Sequence, residues 1–203
     1  CGEAMRRQLI EIGGFPEDQL VSIATGIDFE SFRPQVARKL VREHLGILET
    51  DFVILMVGIL RTVKRHEIAL RALGRLLPQL PRARLVLAGD GPIRVEVEQL
   101  ARDLGVLERV QFLGFRSDVA DLMGASDLLL LTSKSEGVPQ AVTQALGLGL
   151  PVVATRVGGV PELVEHERSG LLVPPEDPEA TASAIRRVAD APDAARRFGN
   201  AGR

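Results

Sequence analysis

Seven short runs of apolar residues recur along the chain, and most are apolar at consecutive positions rather than at alternating ones. They lie at 21–24, 53–57, 84–88, 110–113, 127–131, 151–154 and 171–173. Runs of this kind are typical of strands whose two faces are both buried in a parallel sheet. We therefore predict seven strands, the first in a leading segment and the other six in a regular alternation with helices.

The segments between these runs carry the helical period. One apolar stripe, spaced i, i+3, i+4, i+7 and i+8, consists of Ala69, Ala72, Leu73, Leu76 and Leu77. Two others consist of Val97, Leu100, Ala101 and Leu104 and of Val138, Ala141, Val142 and Ala145. Pro92 suits the first turn of the second helix and Gly105 its end, while Gly149 and Pro151 close the third. This alternation predicts an α/β fold with a doubly wound, Rossmann-like parallel sheet.

Composition narrows the classes of protein that this chain can belong to. Its 203 residues suffice for one α/β domain, with 45% apolar residues, 26% charged residues and a formal net charge of −2. The charge disfavours nucleic-acid binding, which uses a basic surplus. No apolar run approaches the ~18 residues of a membrane span, and the start does not resemble a signal peptide. The absence of Trp and Tyr disfavours a module that holds sugars by aromatic stacking.

The organisation of the chain is predicted to be simple. We expect residues 1–203 to form one domain, in which the segment 1–34 supplies a helix, a strand and a turn ahead of the sheet. The first residue, Cys1, and the polar helical pattern at 194–203 indicate that both ends are cut from a longer chain. Cys1 is the single cysteine, so an internal disulfide is excluded, and we expect a cytoplasmic protein.

The strongest chemical signal follows the apolar run at 127–131. Glu136 ends a short loop there, and a helix begins near Pro139. The free N–H groups of a first helical turn and the helix dipole bind phosphate, and Gly137 lets the backbone approach a ligand closely. Proline has no N–H, so the expected donors are the next three residues, Gln140, Ala141 and Val142. Gln144 lies one turn past Gln140 and faces the same end of the sheet.

A second signal follows the apolar run at 53–57. Gly58 ends this run, and a cationic loop with Arg61 and Lys64 leads into the next helix. Cations are mildly unfavourable at a helix N-terminus because they oppose its dipole, which favours an anionic ligand over a solvated helix start. Ligands of open α/β sheets bind beyond the carboxyl ends of the strands, where both signals lie.

The stretch EGVPQAVTQALGLGLPVVAT at 136–155 resembles the signature of the group-1 (family 4) retaining glycosyltransferases, which have two Rossmann-like domains in the GT-B architecture. The resemblance runs from about residue 20 to the end and covers the C-terminal, donor-binding half of that architecture. It implies that Glu136 contacts hydroxyls of the donor sugar and that Gln144 contacts the ribose. It also implies that Lys64 neutralises the diphosphate as it leaves. Further donor-binding positions are expected at Gly137, Val138 and Pro139.

Two positions depart from the family pattern. Where the family has Gly-Arg-Leu, this chain has Gly58, Ile59 and Leu60, and Arg61 is the candidate to replace the missing arginine. Where the family has a second glutamate, this chain has Gln144, which accepts a hydrogen bond but makes no charge-assisted one. We expect the second change to weaken nucleotide binding by about tenfold or less, on the order of 1 kcal/mol.

Weaker matches concern the nucleotide base and the loops around the donor. The turn at Gly89 is predicted to lie near the base, although a plain turn explains it almost as well. The backbone of the next strand end is predicted to read the base edge, at Gly114, Phe115 and Arg116. Ser117 is predicted to cap the following helix. Gly158 and Gly159 are expected to shape a loop close to the donor.

The resemblance implies transfer of a glycosyl group from a nucleoside-diphosphate sugar with retention of configuration, without a cofactor or a metal. The sequence has no D-x-D motif, and its three histidines lack the spacing of metal ligands. A sugar, lipid or small-molecule acceptor is expected in a separate N-terminal half, so this chain alone should bind donor without transferring it. A longer protein could still contact a membrane peripherally. Three alternatives stay open: a nucleotide-sugar epimerase, a phosphorylase, and a non-catalytic nucleotide-binding module.

Overall fold

A computed structural model describes residues 2–23 and 26–202. Six strands in these residues form one sheet: β1 Phe52–Val57, β2 Ala83–Ala88, β3 Val110–Gly114, β4 Leu128–Leu131, β5 Val152–Thr155 and β6 Leu171–Val173. All neighbouring pairs are parallel, and the order is β3-β2-β1-β4-β5-β6. The predicted doubly wound α/β fold is therefore confirmed.

Helices follow the strands in the described residues, and all but α1 and α2 lie after β1. Their bounds are α1 Glu3–Glu11, α2 Arg38–His44, α3 His66–Leu76, α4 Arg94–Asp103, α5 Val119–Ala125, α6 Gln140–Leu148, α7 Val160–Leu163, α8 Pro178–Asp190 and α9 Pro192–Gly202. Short 3₁₀ turns lie at Glu17–Gln19, Thr62–Lys64 and Leu107–Arg109. Local sequence sets several ends: the Asp177 side chain accepts a hydrogen bond from the N–H of Ala180 at 2.8 Å, and Gly149 ends α6 in the left-handed conformation.

The core lies on both faces of the sheet. Along β1, Ile54 and Met56 point into one apolar cluster while Val53 and Leu55 point into the other. Helices α3, α4 and α8 cover the first face, and α2, α5 and α6 cover the second. Because each strand is enclosed on both sides, it is apolar at nearly every position, as the sequence pattern predicted.

The order of the strands creates a crevice between β1 and β4. From β1 the chain moves outward to β2 and β3, and it then returns to β4 on the other side of β1. The connections after these two neighbouring strands consequently run in opposite directions. The carboxyl ends of such strands are where open α/β sheets bind their ligands.

One predicted strand is wrong. Residues 21–23 have no strand partner, and Val21 and Ile23 are 77% and 73% exposed. Residue 24, the last of that run, lies outside the described residues. An apolar run forms a strand only where a neighbouring strand pairs with its backbone groups. The edge strands of the sheet are β3 and β6, and neither pairs with residues 21–23. The helix and the turn predicted for the segment 1–34 are present, as α1 and as a turn in which Phe32 N–H donates to the carbonyl of Asp28 at 2.9 Å.

Two predicted helix starts are displaced by one or two residues. Helix α4 begins at Arg94, so Pro92 precedes it, because the turn before it packs on the β1 loop: a Cβ on Gly91 would lie 2.3 Å from the carbonyl oxygen of Leu60. Helix α5 is preceded by Asp118 rather than by Ser117 as N-cap residue, and no side chain caps it. The Asp118 carboxylate is instead occupied by Arg116.

Candidate functional site

Lys64 and Glu136 meet where the loops after β1 and β4 leave the sheet. The Nζ atom of Lys64 lies 2.6 Å from Oε1 of Glu136, with side chains 21% and 10% exposed. The two residues predicted to carry the chemistry therefore lie side by side in the crevice at the switch in strand order. What each does to a ligand stays a prediction.

The β1 loop presents Lys64 through a tight turn. Thr62–Lys64 form a 3₁₀ turn, and Arg65 takes the left-handed conformation, with φ 52° and ψ 48°, before α3 starts. The hydroxyl of Thr132, at the end of β4, donates to the carbonyl oxygens of Lys64 and Arg65, which lie 2.9 and 3.0 Å away. The two loops are thus joined by hydrogen bonds from a side chain to the backbone as well as by the ion pair.

Residues after β4 orient the Glu136 carboxylate. The hydroxyl of Ser133 donates to Oε1 of Glu136 at 2.5 Å, and Thr155 donates to the carbonyl of Ser133 at 2.6 Å. Lys64 uses the same oxygen, so Oε2 has no hydrogen-bond partner among the described residues. A carboxylate held on one oxygen and free on the other is suited to accept a hydrogen bond from a hydroxyl group.

The first turn of α6 points two free donors at this crevice. The N–H groups of Gln140 and Ala141 have no hydrogen-bond partner among residues 2–23 and 26–202, whereas Val142 donates to the carbonyl of Pro139 at 3.0 Å. The Val142 N–H is thus engaged at the N-cap, and its predicted contact with phosphate stays a prediction. Gln144 is half-buried one turn further along the helix.

A glycine pair after β5 supports the Glu136 loop from the far side. Gly158 has φ 49°, and a Cβ there would lie 1.8 Å from the carbonyl oxygen of Glu136. A Cβ on Gly159 would lie 2.2 Å from the carbonyl oxygen of Gly137, to which the Gly159 N–H donates at 3.1 Å. These contacts fix the backbone of Glu136 and Gly137. They are possible only because positions 158 and 159 are glycines. Val138 and Pro139 continue this loop, half-buried and buried.

A second close approach joins the ends of β1 and β2. A Cβ on Gly89 would lie 1.9 Å from the carbonyl oxygen of Gly58, and Leu60 N–H donates to the carbonyl of Asp90 at 2.9 Å. Gly89 is thus explained by backbone packing, whereas a Cβ on Gly58 would meet only the Lys64 side chain, at 3.6 Å. Their predicted contact with a ligand remains a prediction.

The end of β3 forms the far side of the crevice. Gly114 has φ 67°, and the Phe115 side chain that follows is 86% exposed. Arg116 pairs with Asp118 through contacts of 2.8 and 2.5 Å, and this guanidinium lowers the pKa of the Asp118 carboxyl. The Arg116 side chain is therefore already engaged, which leaves its backbone and the Phe115 ring for a ligand.

The position where the family arginine is missing and its candidate substitute are both exposed. Ile59 is 43% exposed, and Arg61 is an exposed cation without an ion-pair or hydrogen-bond partner for its side chain in the described part of the chain. The position predicted to substitute for the missing arginine is thus free to move towards an anion.

Sequence reasoning missed four residues that organise the site: Arg65, His66, Thr132 and Ser133. Thr132 gave no signal because it acts on Lys64 and Arg65, which are distant in sequence, whereas Ser133 lies only three residues before Glu136 and could have been found beside it. His66 is 3% exposed, and burial, with a smaller effect from nearby Lys64, lowers its pKa to about 4. Its Nδ1 atom is buried without a partner.

Other features of the described residues do not compete with this site. No cluster of three or more His, Cys, Asp or Glu side chains that could hold a metal ion is found among them. A cavity of about 710 Å³ lies at the opposite edge of the sheet, beside Asp51 and Asp127. Both carboxylates already pair with arginines, Asp51 with Arg84 and Asp127 with the buried Arg42.

None of the helices in residues 2–23 and 26–202 combines the length and the apolar character that a membrane crossing requires.

Comparison with known proteins shows the family of this chain. The sequence model of the family "Glycosyl transferases group 1" matches residues 37–203. The chain is 32% identical to N-acetyl-alpha-D-glucosaminyl L-malate synthase of Bacillus anthracis, over 77% of this chain and 41% of that protein. It is 36% identical to D-inositol 3-phosphate glycosyltransferase of Mycobacterium marinum, over 88% of this chain and 39% of that protein. The chain thus spans less than half the length of these relatives.

Solved structures give the same result. The Anabaena protein HepE in complex with UDP-glucose superposes with a TM-score of 0.93 at 28% identity, covering 99% of this chain and 56% of HepE. Sucrose-phosphate synthase of Thermosynechococcus elongatus superposes with a TM-score of 0.84 at 27% identity, covering 99% of this chain and 51% of that protein. On the sequence match and the fold together, the chain belongs to the group 1 glycosyltransferases of the GT-B architecture and corresponds to a C-terminal-like half of them.

Proposed function

We propose that this chain is the donor-binding half of a retaining glycosyltransferase and that its donor is a uridine-diphosphate sugar. The observation that carries the proposal is the pairing of Lys64 with Glu136 at the switch in strand order, next to the free N–H groups of α6. The family match supports the reaction class. The UDP and UDP-glucose complexes of HepE support uridine as the base.

The diphosphate is placed between a cation and a helix start. Lys64 has three N–H donors and gives one to Glu136, so two are available to phosphate oxygens. The amides of Gln140 and Ala141 supply further donors on the opposite wall, and Arg61 supplies a mobile positive charge. No metal ion is needed in this arrangement because the protein itself neutralises the phosphate charge.

The remaining parts of the donor follow from this placement. The sugar lies over Glu136, whose free Oε2 accepts from a hydroxyl group, and beside Gly137, Val138 and Pro139. The ribose lies towards Gln144. The base lies at the end of β3, near Phe115 and the backbone of Gly114–Arg116, with Gly58 and Gly89 forming the floor.

In the reaction, the bond between the anomeric carbon and the diphosphate oxygen breaks, and its electron pair leaves with the diphosphate. The acceptor hydroxyl oxygen forms the new bond on the same face, and its proton passes to the departing phosphate oxygen. Lys64 and the α6 amides stabilise the charge that develops on the leaving group. The acceptor is held by a second domain of a longer protein, so residues 1–203, as one donor domain, bind donor without transferring it.

A non-catalytic nucleotide-binding module is the second candidate, because Ile59 and Gln144 replace two charged residues of the family pattern. Both candidates predict that the chain binds a nucleotide. Glycosyl transfer by the longer protein would separate them, since only the first predicts it.

Calorimetric titration of the chain with UDP, GDP, ADP and UMP tests the proposal. We expect UDP to bind more tightly than GDP, ADP and UMP, since the base and both phosphates contribute. Equal affinities for the three diphosphates would contradict the assignment of uridine. Failure of all four nucleotides to bind would contradict a donor site in this chain.

A further inference from the structure

Arg65 has a backbone conformation that its residue type disfavours. It lies directly after Lys64 with φ 52° and ψ 48°, a region in which a side chain crowds the backbone and glycine is favoured. The three non-glycine residues with positive φ in the described chain are Arg65, Glu167 and Glu176. Such a conformation persists only where surrounding contacts hold it, and it is found preferentially at functional sites.

Two of those three residues form an ion pair with each other. The guanidinium of Arg65 contacts Oε1 of Glu176, which lies 111 residues later in the loop after β6. Its second terminal nitrogen lies 3.0 Å from Glu67, and Lys134, in the loop after β4, lies 3.9 Å from Glu176. The pair lowers the pKa of the Glu176 carboxyl. One cluster therefore connects the loops that follow β1, β4 and β6.

This cluster is built around the residue that presents Lys64. Arg65 turns the chain from the 3₁₀ turn into α3, and Thr132 donates to the carbonyl oxygens on both sides of that turn. Displacement of the Arg65 backbone would therefore move Lys64 relative to Glu136.

We propose that Arg65 and Glu176 are positioning residues, whose ion pair holds the left-handed turn at Arg65 and thereby fixes Lys64 against Glu136 at the leaving-group position. Neither residue touches the donor. The proposal rests on the proposed function for its effect on the diphosphate, but the position of Lys64 can be measured without any nucleotide.

Three variants test the ion pair. Arg65→Ala removes the guanidinium but keeps the Cβ that disfavours the left-handed turn, whereas Glu176→Gln removes only the charge of the partner. Arg75→Ala is the matched control, because Arg75 pairs with Glu179 at 3.0 Å and joins α3 to α8 away from the crevice. Thermal unfolding of each variant shows that it is folded.

The first readout is affinity for UDP and UMP. We expect Arg65→Ala and Glu176→Gln to weaken UDP binding by about threefold to tenfold, and UMP binding by less than about twofold, because Lys64 faces the leaving phosphate. In the Lys64→Ala background, Arg65→Ala should add less than about twofold, since the two residues act through one contact. Arg75→Ala should change neither affinity.

The second readout is the rate at which an acylating reagent modifies each lysine, measured by mass spectrometry. The chain has three lysines, Lys39, Lys64 and Lys134, and the exposed Lys39 is the internal standard. Modification of Lys64 should accelerate relative to Lys39 in Arg65→Ala and Glu176→Gln but not in Arg75→Ala. Unchanged Lys64 reactivity, or equal loss of UDP and UMP affinity, would overturn the positioning role. Failure of the unaltered chain to bind UDP would overturn the proposed function and leave the reactivity result to decide the role of Arg65.

Discussion

The Nζ atom of Lys64 lies 2.6 Å from a carboxylate oxygen of Glu136, although 72 residues separate them in sequence. The contact exists because β1 and β4 are neighbours whose connections diverge, so their two loops face each other at the carboxyl edge. Both side chains are mostly buried, which strengthens their interaction relative to a surface pair. A diphosphate placed there meets a cation that is already oriented.

Replacement of Lys64 tests the phosphate contact. We expect Lys64→Ala to weaken UDP binding by about tenfold to a hundredfold, since a charged hydrogen bond contributes about 1.5 to 3 kcal/mol. Lys39→Ala is the control, because Lys39 is exposed on α2 and makes only a 3.7 Å pair with Glu43. Titration calorimetry measures both. Equal UDP affinity in the two variants would remove Lys64 from the site.

Replacement of Gly158 tests the support of the Glu136 loop. Gly158→Ala places a methyl group 1.8 Å from the Glu136 carbonyl oxygen, so the loop must move. We expect a loss of about 2 to 4 kcal/mol in the free energy of unfolding, together with weaker UDP binding. Gly105→Ala has a similar positive φ of 67° but open space around it, so it should lose only about 1 kcal/mol. Urea unfolding compares the two, and equal losses would show that the contact with Glu136 is unimportant.

Replacement of Gln144 tests the ribose contact. We expect Gln144→Glu to tighten UDP binding by about tenfold or less, because a carboxylate makes a charge-assisted bond with a ribose hydroxyl where an amide makes a neutral one. The 2′,3′-dideoxy analogue of UDP, which lacks both ribose hydroxyls, should bind no more tightly to Gln144→Glu than to the unaltered chain. A gain that persists without the hydroxyls would place the ribose elsewhere.

Acidification tests the burial of His66. Its pKa of about 4 lies below the ordinary value of 6.5 because burial and nearby Lys64 both disfavour the charged form. The stability that neutral His66 contributes is complete above pH 6.5, and it is lost as the pH falls from 6.5 towards 4. At pH 4.5 this loss is about 2 kcal/mol. His66→Gln should therefore lose less stability than the unaltered protein between pH 7 and 4.5 in urea unfolding. Identical losses would contradict the shift.

The fold could be predicted from the sequence because its signals are local. The runs at 53–57 and 127–131 are apolar at nearly every position, which only a strand enclosed on both faces requires. Gly149 marked the end of α6 for an equally local reason, since it takes the left-handed conformation there. The strand predicted at 21–24 was wrong at residues 21–23 because a strand needs a partner strand, and the apolar pattern does not show whether one is available.

The site could be predicted only in part. Lys64 and Glu136 were recognised by the family resemblance together with their position after strands, but their contact depends on the strand order, which the apolar runs do not encode. The pairing of Arg65 with Glu176 and the packing of Gly158 on Glu136 join segments distant in sequence, so no local pattern announces them.

The most direct test of the donor site is to map the backbone amides whose NMR shifts change when UDP is added to the isotope-labelled chain. We expect the largest changes at Gly58–Lys64 and at Gly137, Gln140 and Ala141, with smaller ones at Gly114–Arg116. If saturating UDP instead changed the shifts of amides around the opposite cavity, such as those of Asp51 and Gly149, the result would contradict the account.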